Sequence, residues 1–299
     1  MFNFVAPTLD LKKHADEFLF GAHISNCELC FGNLFMWSVV YDNLISISDD
    51  MLVVKNKEKD KNIYSFPVGR GDLKKSIEMI ISDAKSDNAA LNIYGLSEEQ
   101  VKQLDELFPN KFTFNFNRDL SDYVYSREKL ALLSGKKYHG KRNHISFFMK
   151  QYPNWCYEEI NASNVPECLQ MHRKWIEVNT QSKEDSVDYE NEYHAAEKAM
   201  KNFDALGLKG GLIRIDGEVV AYTFGEALSD EMFCTHVEKA FSDMRGAYPI
   251  INREFAKNSL GNFQFVNREE DLGIEGLRRA KLSYKPEFLV EKYVAVYKD

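Results

Sequence analysis

Along the second half of the chain, apolar residues change period in a regular order, from every second position to every third or fourth and back. Residues 154–160 (NWCYEEI) alternate as a strand. In 164–179, Asn164 stands as N-cap and Pro166 in the first turn, while Cys168, Leu169, His172 and Trp175 recur at helical spacing. A polar helix is predicted over 186–206, ending near Gly207. Two alternating runs in 210–228 meet at Asp216-Gly217, a pair suited to the positive φ angles of a tight hairpin. A third strand covers 231–240, a helix begins around Gly246, and a fourth strand covers 263–269. A helix over 273–284 and a last strand over 291–297 complete the series.

The first half gives a fainter version of the same order. Residues 2–9 read as a strand, 10–19 and 27–40 as helices, and 43–54 as a hairpin around Asp49-Asp50. Strand 62–69, helix 72–85, strand 90–96, helix 97–108 and strand 111–120 follow. Two passes of one order predict a structural duplication, with an N-terminal domain over 1–126 and a C-terminal domain over 153–299. The basic helical segment 127–152 reads as the connector.

Composition narrows the class. Of 299 residues, 44% are hydrophobic and 28% charged, the balance of a globular chain with a substantial core. The net charge of −8 argues against a general nucleic-acid coat, which needs a basic face, and leaves room for a local basic groove. The most apolar run, 30–45, is broken by Gly32, Asn33, Asp42 and Asn43, short of the ~18 apolar residues of a membrane span. The N-terminus has no basic segment followed by an apolar one, and five scattered cysteines fit a reducing compartment, so a cytoplasmic location is expected. Cys27 and Cys30 form one C-x-x-C, with His23 four residues before it, on an apolar run where core packing is the simpler role. His172, His194 and His236 show no ligand partner at sequence spacing, so no metal site is expected. No G-x-S-x-G, H-E-x-x-H or phosphate-binding G-x-x-x-x-G-K-[ST] motif occurs.

Two stretches, 122–148 (DYVYSREKLALLSGKKYHGKRNHISFF) and 265–286 (FVNREEDLGIEGLRRAKLSYKP), resemble the family of the C-terminal domain of bacterial phosphatidylglycerol lysyltransferase. The element order resembles the GCN5-related acetyltransferase fold in tandem, an α/β class with mixed central sheets flanked by helices. The resemblance covers most of the chain. It implies transfer of an acyl or aminoacyl group to an amine or hydroxyl, with aminoacyl-tRNA or acyl-coenzyme A as co-substrate and no permanently bound cofactor. It departs in one respect: lysyltransferases of that family carry a many-span membrane domain, and this sequence contains none.

Three constellations carry the candidate chemistry. Arg245, Gly246, Ala247 and Tyr248 open a helix after a strand, where unpaired N–H groups and the helix dipole favour a phosphate. They match the acetyltransferase pyrophosphate loop only in part, and an ordinary glycine turn with Arg245 in solvent is the alternative. At the end of the strand before 268, Asn267 and Arg268 are candidate ligand-binding residues, with Glu269 or Asp271 as base. Lys281 lies on the following helix with Tyr284 on the same face. A cation there would stabilise the oxyanion of acyl transfer, and the resemblance implies a helix lysine in that role and a tyrosine that protonates the leaving group. A solvated charged face explains the same residues. In 135–144, Lys137, Lys141 and His144 share one helical stripe and Arg142 an adjacent one, a pattern that can grip phosphates or brace the two halves.

The reading is an acyltransferase acting from the C-terminal half, with a small-molecule, peptide or lipid-headgroup acceptor. A coenzyme A-dependent N-acetyltransferase and a non-catalytic ligand-binding module are the alternatives.

Overall fold

The computed structural model describes residues 2–20, 25–58, 61–181 and 183–298. They form two compact units, and the chain passes between them several times. The first unit holds residues 1–122, 270–278 and 289–299, and the second holds 123–269 and 279–288. Each contains a mixed sheet with helices packed on it, the α/β class that the duplicated order predicts.

In the first unit, helices α1 (Leu9–Leu19) and α2 (Phe31–Tyr41) precede strands β1 (Leu44–Ser48), β2 (Met51–Glu58), β3 (Lys61–Ser65) and the short β4 (Val68–Gly69). Then come α3 (Leu73–Ser86), β5 (Ala90–Leu96), α4 (Glu98–Leu107) and β6 (Phe112–Phe116). The predicted hairpin forms because Asp49 and Asp50 both take positive φ, at 51° and 58°. Residues 2–8 are not the predicted strand: Val5 makes one bridge to Ile45, and Pro7 has no N–H to extend it. The helix predicted from Cys27 begins at Phe31, because the Cys27 N–H is given to the Asp122 carboxylate, 3.0 Å away. His23 lies outside the described residues.

The second unit opens with β7 (Asp122–Ser126), a strand the sequence pattern did not signal. Helices α5 (Arg127–Leu132) and α6 (His139–Gln151) follow, then β8 (Trp155–Glu159), α7 (Val165–Asn179), α8 (Lys183–Lys201) and α9 (Phe203–Leu206). Strands β9 (Lys209–Ile215), β10 (Glu218–Ala227) and β11 (Met232–Ala240), helix α10 (Ala247–Asn258) and β12 (Phe265–Asn267) complete the core. Helix α11 (Glu275–Leu282), the short β13 (Phe288–Val290) and β14 (Tyr293–Tyr297) end the chain. Asn164 stands at the α7 N-cap, but its amide bonds the Glu159 carbonyl and the Asn161 N–H instead of the helix.

The sheet orders correct the expected domain division. The first sheet runs β1-β2-β3-β5-β14-β6, with β4 on β2, and the second runs β13-β7-β12-β11-β10-β9-β8. Each contains a parallel pair, β3 with β5 and β11 with β12. Beside each pair lies an antiparallel strand from the other half of the sequence: β14 on β5, and β7 on β12. The segment 127–152 is likewise no free-standing connector, since α5 and α6 both pack on α10 within the second unit.

Candidate active site

The site of interest in the second unit begins where β11 and β12 part. Their parallel pairing covers only Met232–Cys234 and Phe265–Asn267, after which β11 runs on to Ala240. Opposite β10, Val237 faces Phe224 and Thr235 faces Gly225, so His236 is the extra residue of a β-bulge. Bulges re-aim side chains, and here the re-aimed group is an imidazole. Gly225 is required at this point, since a β-carbon there would meet the Cys234 carbonyl oxygen at 1.8 Å.

The end of β12 carries Arg268, whose Nη2 donates to Glu238 Oε1 at 2.8 Å. The other Glu238 oxygen accepts from Asn252 Nδ2 on α10 at 3.1 Å. Two buried polar atoms of this group, Arg268 Nη1 and Asn252 Oδ1, find no hydrogen-bond partner among the described residues. The Arg268 guanidinium lies 5.0 Å from the Tyr284 ring centre and 5.6 Å from that of Tyr125. The Tyr284 ring also carries the Lys141 ammonium, 3.8 Å from its centre. Burial, then repulsion from Arg268, pulls the Lys141 pKa down to about 8, with Glu238 acting in the opposite sense. Burial raises the Tyr284 hydroxyl above its ordinary range, which makes it a poorer acid than the sequence reading required. The Tyr284 carbonyl accepts from Tyr138 and the Lys281 carbonyl from Tyr125, fixing the turn after α11.

Of the other basic candidates, His144 accepts from Arg245 Nε at 3.3 Å, and the Arg245 guanidinium covers Phe147. Burial, then Arg245 and Lys141, lowers the His144 pKa. Arg142 is occupied elsewhere, donating to the Leu133 and Gly135 carbonyls that end α5. Lys137 sits in a 3-10 turn before α6, over the Tyr138 ring, and so leaves the expected helical stripe. Gly246 caps α10 at φ +99°, where a β-carbon would meet the His144 carbonyl oxygen at 2.3 Å. It is therefore a close-packing glycine. The loop is also poor in donors: the Ala247 N–H is given to Met244, Pro249 has none, and the Ile250 N–H is given to Gly246. The Tyr248 hydroxyl accepts from Trp175 Nε1.

Lys281, the expected oxyanion cation, is turned inward. It is 8% exposed, and its ammonium donates to the carbonyls of Arg268 at 2.6 Å and Glu269 at 3.0 Å. That makes it a clamp on the strand end. Glu269 is held at φ +57°, its N–H given to Asn267 Oδ1 and its carbonyl also accepting from the Tyr123 N–H. Its carboxylate lies 2.8 Å from His236 Nδ1, while His236 Nε2 lies 3.0 Å from Glu226 Oε1. Burial opposes a charge on His236, but Cys234, Glu226 and Glu269 outweigh it and lift the pKa well above its ordinary value. The sequence reading missed this group, although a cysteine and a histidine two apart on a strand share one face.

Asp271, the other base candidate, lies in the first unit and is not available. It is fully buried and accepts from Arg278 Nε at 2.9 Å and Nη2 at 2.7 Å. That unit has a second buried charge group, in which Lys292 Nζ lies 2.6 Å from Asp122, 3.4 Å from Cys27 Sγ, 3.5 Å from Glu28 and 3.8 Å from Glu270. Cys27 thus serves an ionic cluster, not plain apolar packing.

Comparison with known proteins agrees with this architecture. Residues 22–296 match the family described as phosphatidylglycerol lysyltransferase, C-terminal. A conserved protein of unknown function from Bacteroides thetaiotaomicron is 40% identical, with a TM-score of 0.94 and full coverage of both chains. The L-PGS structure from Bacillus licheniformis is 15% identical with a TM-score of 0.68, covering 98% of this chain and 93% of that one, a likeness of fold. An uncharacterized protein of Mycoplasmoides gallisepticum is 28% identical over 178 residues, 58% of this chain and 55% of that protein, so the match spans about half the length of that relative. Among the described residues, no helix is long and apolar enough to cross a membrane.

Proposed function

We propose, for a chain that belongs to the phosphatidylglycerol lysyltransferase C-terminal family, that its second unit transfers an aminoacyl group from aminoacyl-tRNA to an amine or hydroxyl acceptor. The observation that carries this reading is the Lys141–Tyr284–Arg268 stack, with Arg268 Nη1 buried and lacking a partner among the described residues. A donor ester places a carbonyl oxygen against Nη1. As the acceptor attacks, the new bond forms at the carbonyl carbon and negative charge develops on that oxygen, where a buried guanidinium stabilises it. Lys141, with a pKa of about 8, is in part a free amine near neutral pH. It takes the proton of the attacking group and returns it to the ribose oxygen as the ester C–O bond breaks. Lys281 positions Arg268 by holding its carbonyl. No covalent enzyme intermediate is needed.

The start of α10 favours aminoacyl-tRNA over coenzyme A. A pyrophosphate needs several convergent N–H groups, and three of the four residues 247–250 have none to offer. Arg245, steadied by His144, remains as a small cationic contact for a donor phosphate. The acceptor belongs to the class the family's description names in phosphatidylglycerol, a hydroxyl, or to the amines of small molecules and peptides.

The test is discharge of labelled lysyl-tRNA by the purified chain, with phosphatidylglycerol vesicles, free amines and peptides as acceptors and acetyl-coenzyme A as the rival donor. Transfer from the charged tRNA that is lost in Arg268→Gln supports the assignment. Acetyl transfer with an inert aminoacyl-tRNA overturns it in favour of an N-acetyltransferase.

A further inference from the structure

We propose that Cys234, His236 and Glu269 form a three-ligand site for a zinc-class divalent cation, with Glu226 supporting the imidazole from its far side. Their donor atoms all lie within 4.8 Å of one another. Cys234 Sγ is 3.7 Å from His236 Nδ1 and 3.8 Å from Glu269 Oε1. Around a tetrahedral zinc with its ordinary bond lengths, sulfur-to-nitrogen and sulfur-to-oxygen edges are roughly 3.6 Å. Two of the three edges are therefore already set. The third, His236 Nδ1 to Glu269 Oε1, is 2.8 Å, a hydrogen bond that a bound cation replaces. It has to open to roughly 3.3 Å, a small rotation of the Glu269 side chain.

The far side of the imidazole supplies the second argument. A metal-bound histidine commonly donates its other N–H to a carboxylate, which fixes the tautomer and raises ligand basicity. Here His236 Nε2 lies 3.0 Å from the buried Glu226, leaving Nδ1 toward Cys234 and Glu269. The fold has built that orientation with the bulge at His236 and the left-handed backbone at Glu269. Glu269 is 21% exposed in its side chain, so the cluster is reached from that side.

The first unit shows why a similar donor set there is different. Cys27, Asp122 and Glu270 also converge, but they already surround the ammonium of Lys292, which fills the cationic role. In the Cys234 group the imidazole of His236 stands between the other two donors, with Nδ1 facing both. One thiolate, one imidazole and one carboxylate favour zinc or cobalt over magnesium or calcium, and three protein ligands leave a fourth position open.

The test uses the full chain, stripped with a chelator and titrated with cobalt(II) and then zinc(II). Expected are one cation per chain, a thiolate-to-cobalt charge-transfer band, and its displacement by zinc. Cys234→Ser abolishes the band, and Glu226→Gln weakens binding by about 10- to 100-fold while leaving the band's position unchanged. A wild-type chain that gives no such band refutes the site, even if Cys234→Ser fails to fold. So does a band that persists in Cys234→Ser, which would place the thiolate elsewhere, with the exposed Cys156 first in line.

Discussion

The Lys141 ammonium rests 3.8 Å from the centre of the Tyr284 ring, and the Arg268 guanidinium lies 5.0 Å from the same centre. Burial of the ammonium, and after it repulsion from the second cation on the same ring, pulls the Lys141 pKa down to about 8. If Lys141 carries the acceptor's proton, transfer rises with pH and levels off above about 8, because only the neutral amine accepts. Lys141→Arg keeps the cation and the ring contact but stays protonated. It is expected to lower the rate by ~100- to 10,000-fold and to remove the pH dependence. Rate–pH profiles of the two proteins decide it: an unchanged profile in the variant rejects the assignment.

Arg268 gives a prediction of different form. Its Nη1 is asked to stabilise a charge that exists only in the transition state, so losing it affects turnover more than donor binding. Arg268→Gln is expected to reduce the turnover number by ~100- to 1000-fold with little change in the donor's KM. A variant in which KM alone rises would make Arg268 a binding residue.

Lys281 separates support from chemistry. Its ammonium holds the carbonyls of Arg268 and Glu269, and a hydrogen bond to a charged group contributes about 1.5–3 kcal/mol. Lys281→Met leaves both carbonyls buried without that donor, so urea denaturation should show a loss of about 2–4 kcal/mol. Transfer should fall only as far as the strand end is disturbed. A variant of unaltered stability that is catalytically dead would return the oxyanion role to Lys281.

How much of this was visible in the sequence follows the range of the interactions. The Asp216-Gly217 hairpin was legible because it is set by two residues with φ of 48° and 93°. Helix α10 was legible from Gly246 and the apolar positions after it. The family's two motifs were also legible, and the stack that joins Lys141 of one to Arg268 and Tyr284 of the other is consistent with their shared presence. The partners of β7 and β14 were not legible. Antiparallel pairing of Val266 with Tyr125, or of Val296 with Asn92, spans well over a hundred residues and leaves no local mark. Lys281 was expected to serve as an oxyanion cation, with a solvated face as the alternative, because the strand-end carbonyls that hold its ammonium leave no mark in the sequence. The Cys234-x-His236 spacing was readable, but the bulge that turns His236 toward Glu269 was not.

Gly246 should tolerate no side chain. Its φ of +99° disfavours any L-residue, and a β-carbon would press on the His144 carbonyl of α6. Gly246→Ala is expected to lower the melting temperature by several degrees, since a strained, clashing site costs about 1–3 kcal/mol. Melting curves of the purified variant check this, and a wild-type curve would mean that α10 and α6 are not tightly apposed.

The placement of β14 makes the most severe prediction. This strand pairs with β5 on one side and β6 on the other, and Ala295 is fully buried in the first unit's core with Ile93, Leu104 and Phe112. Ending the chain at Phe288 removes it and exposes the ladder edges of both neighbours, which lose their hydrogen-bond partners and apolar cover together. Amide hydrogen exchange in β5 and β6 should then accelerate strongly, and a synthetic 289–299 peptide should restore protection in proportion to its concentration, as binding to the folded form requires. Had the 153–299 segment folded as a self-contained domain, the same truncation would leave residues 90–116 protected, and that result would contradict the strand exchange.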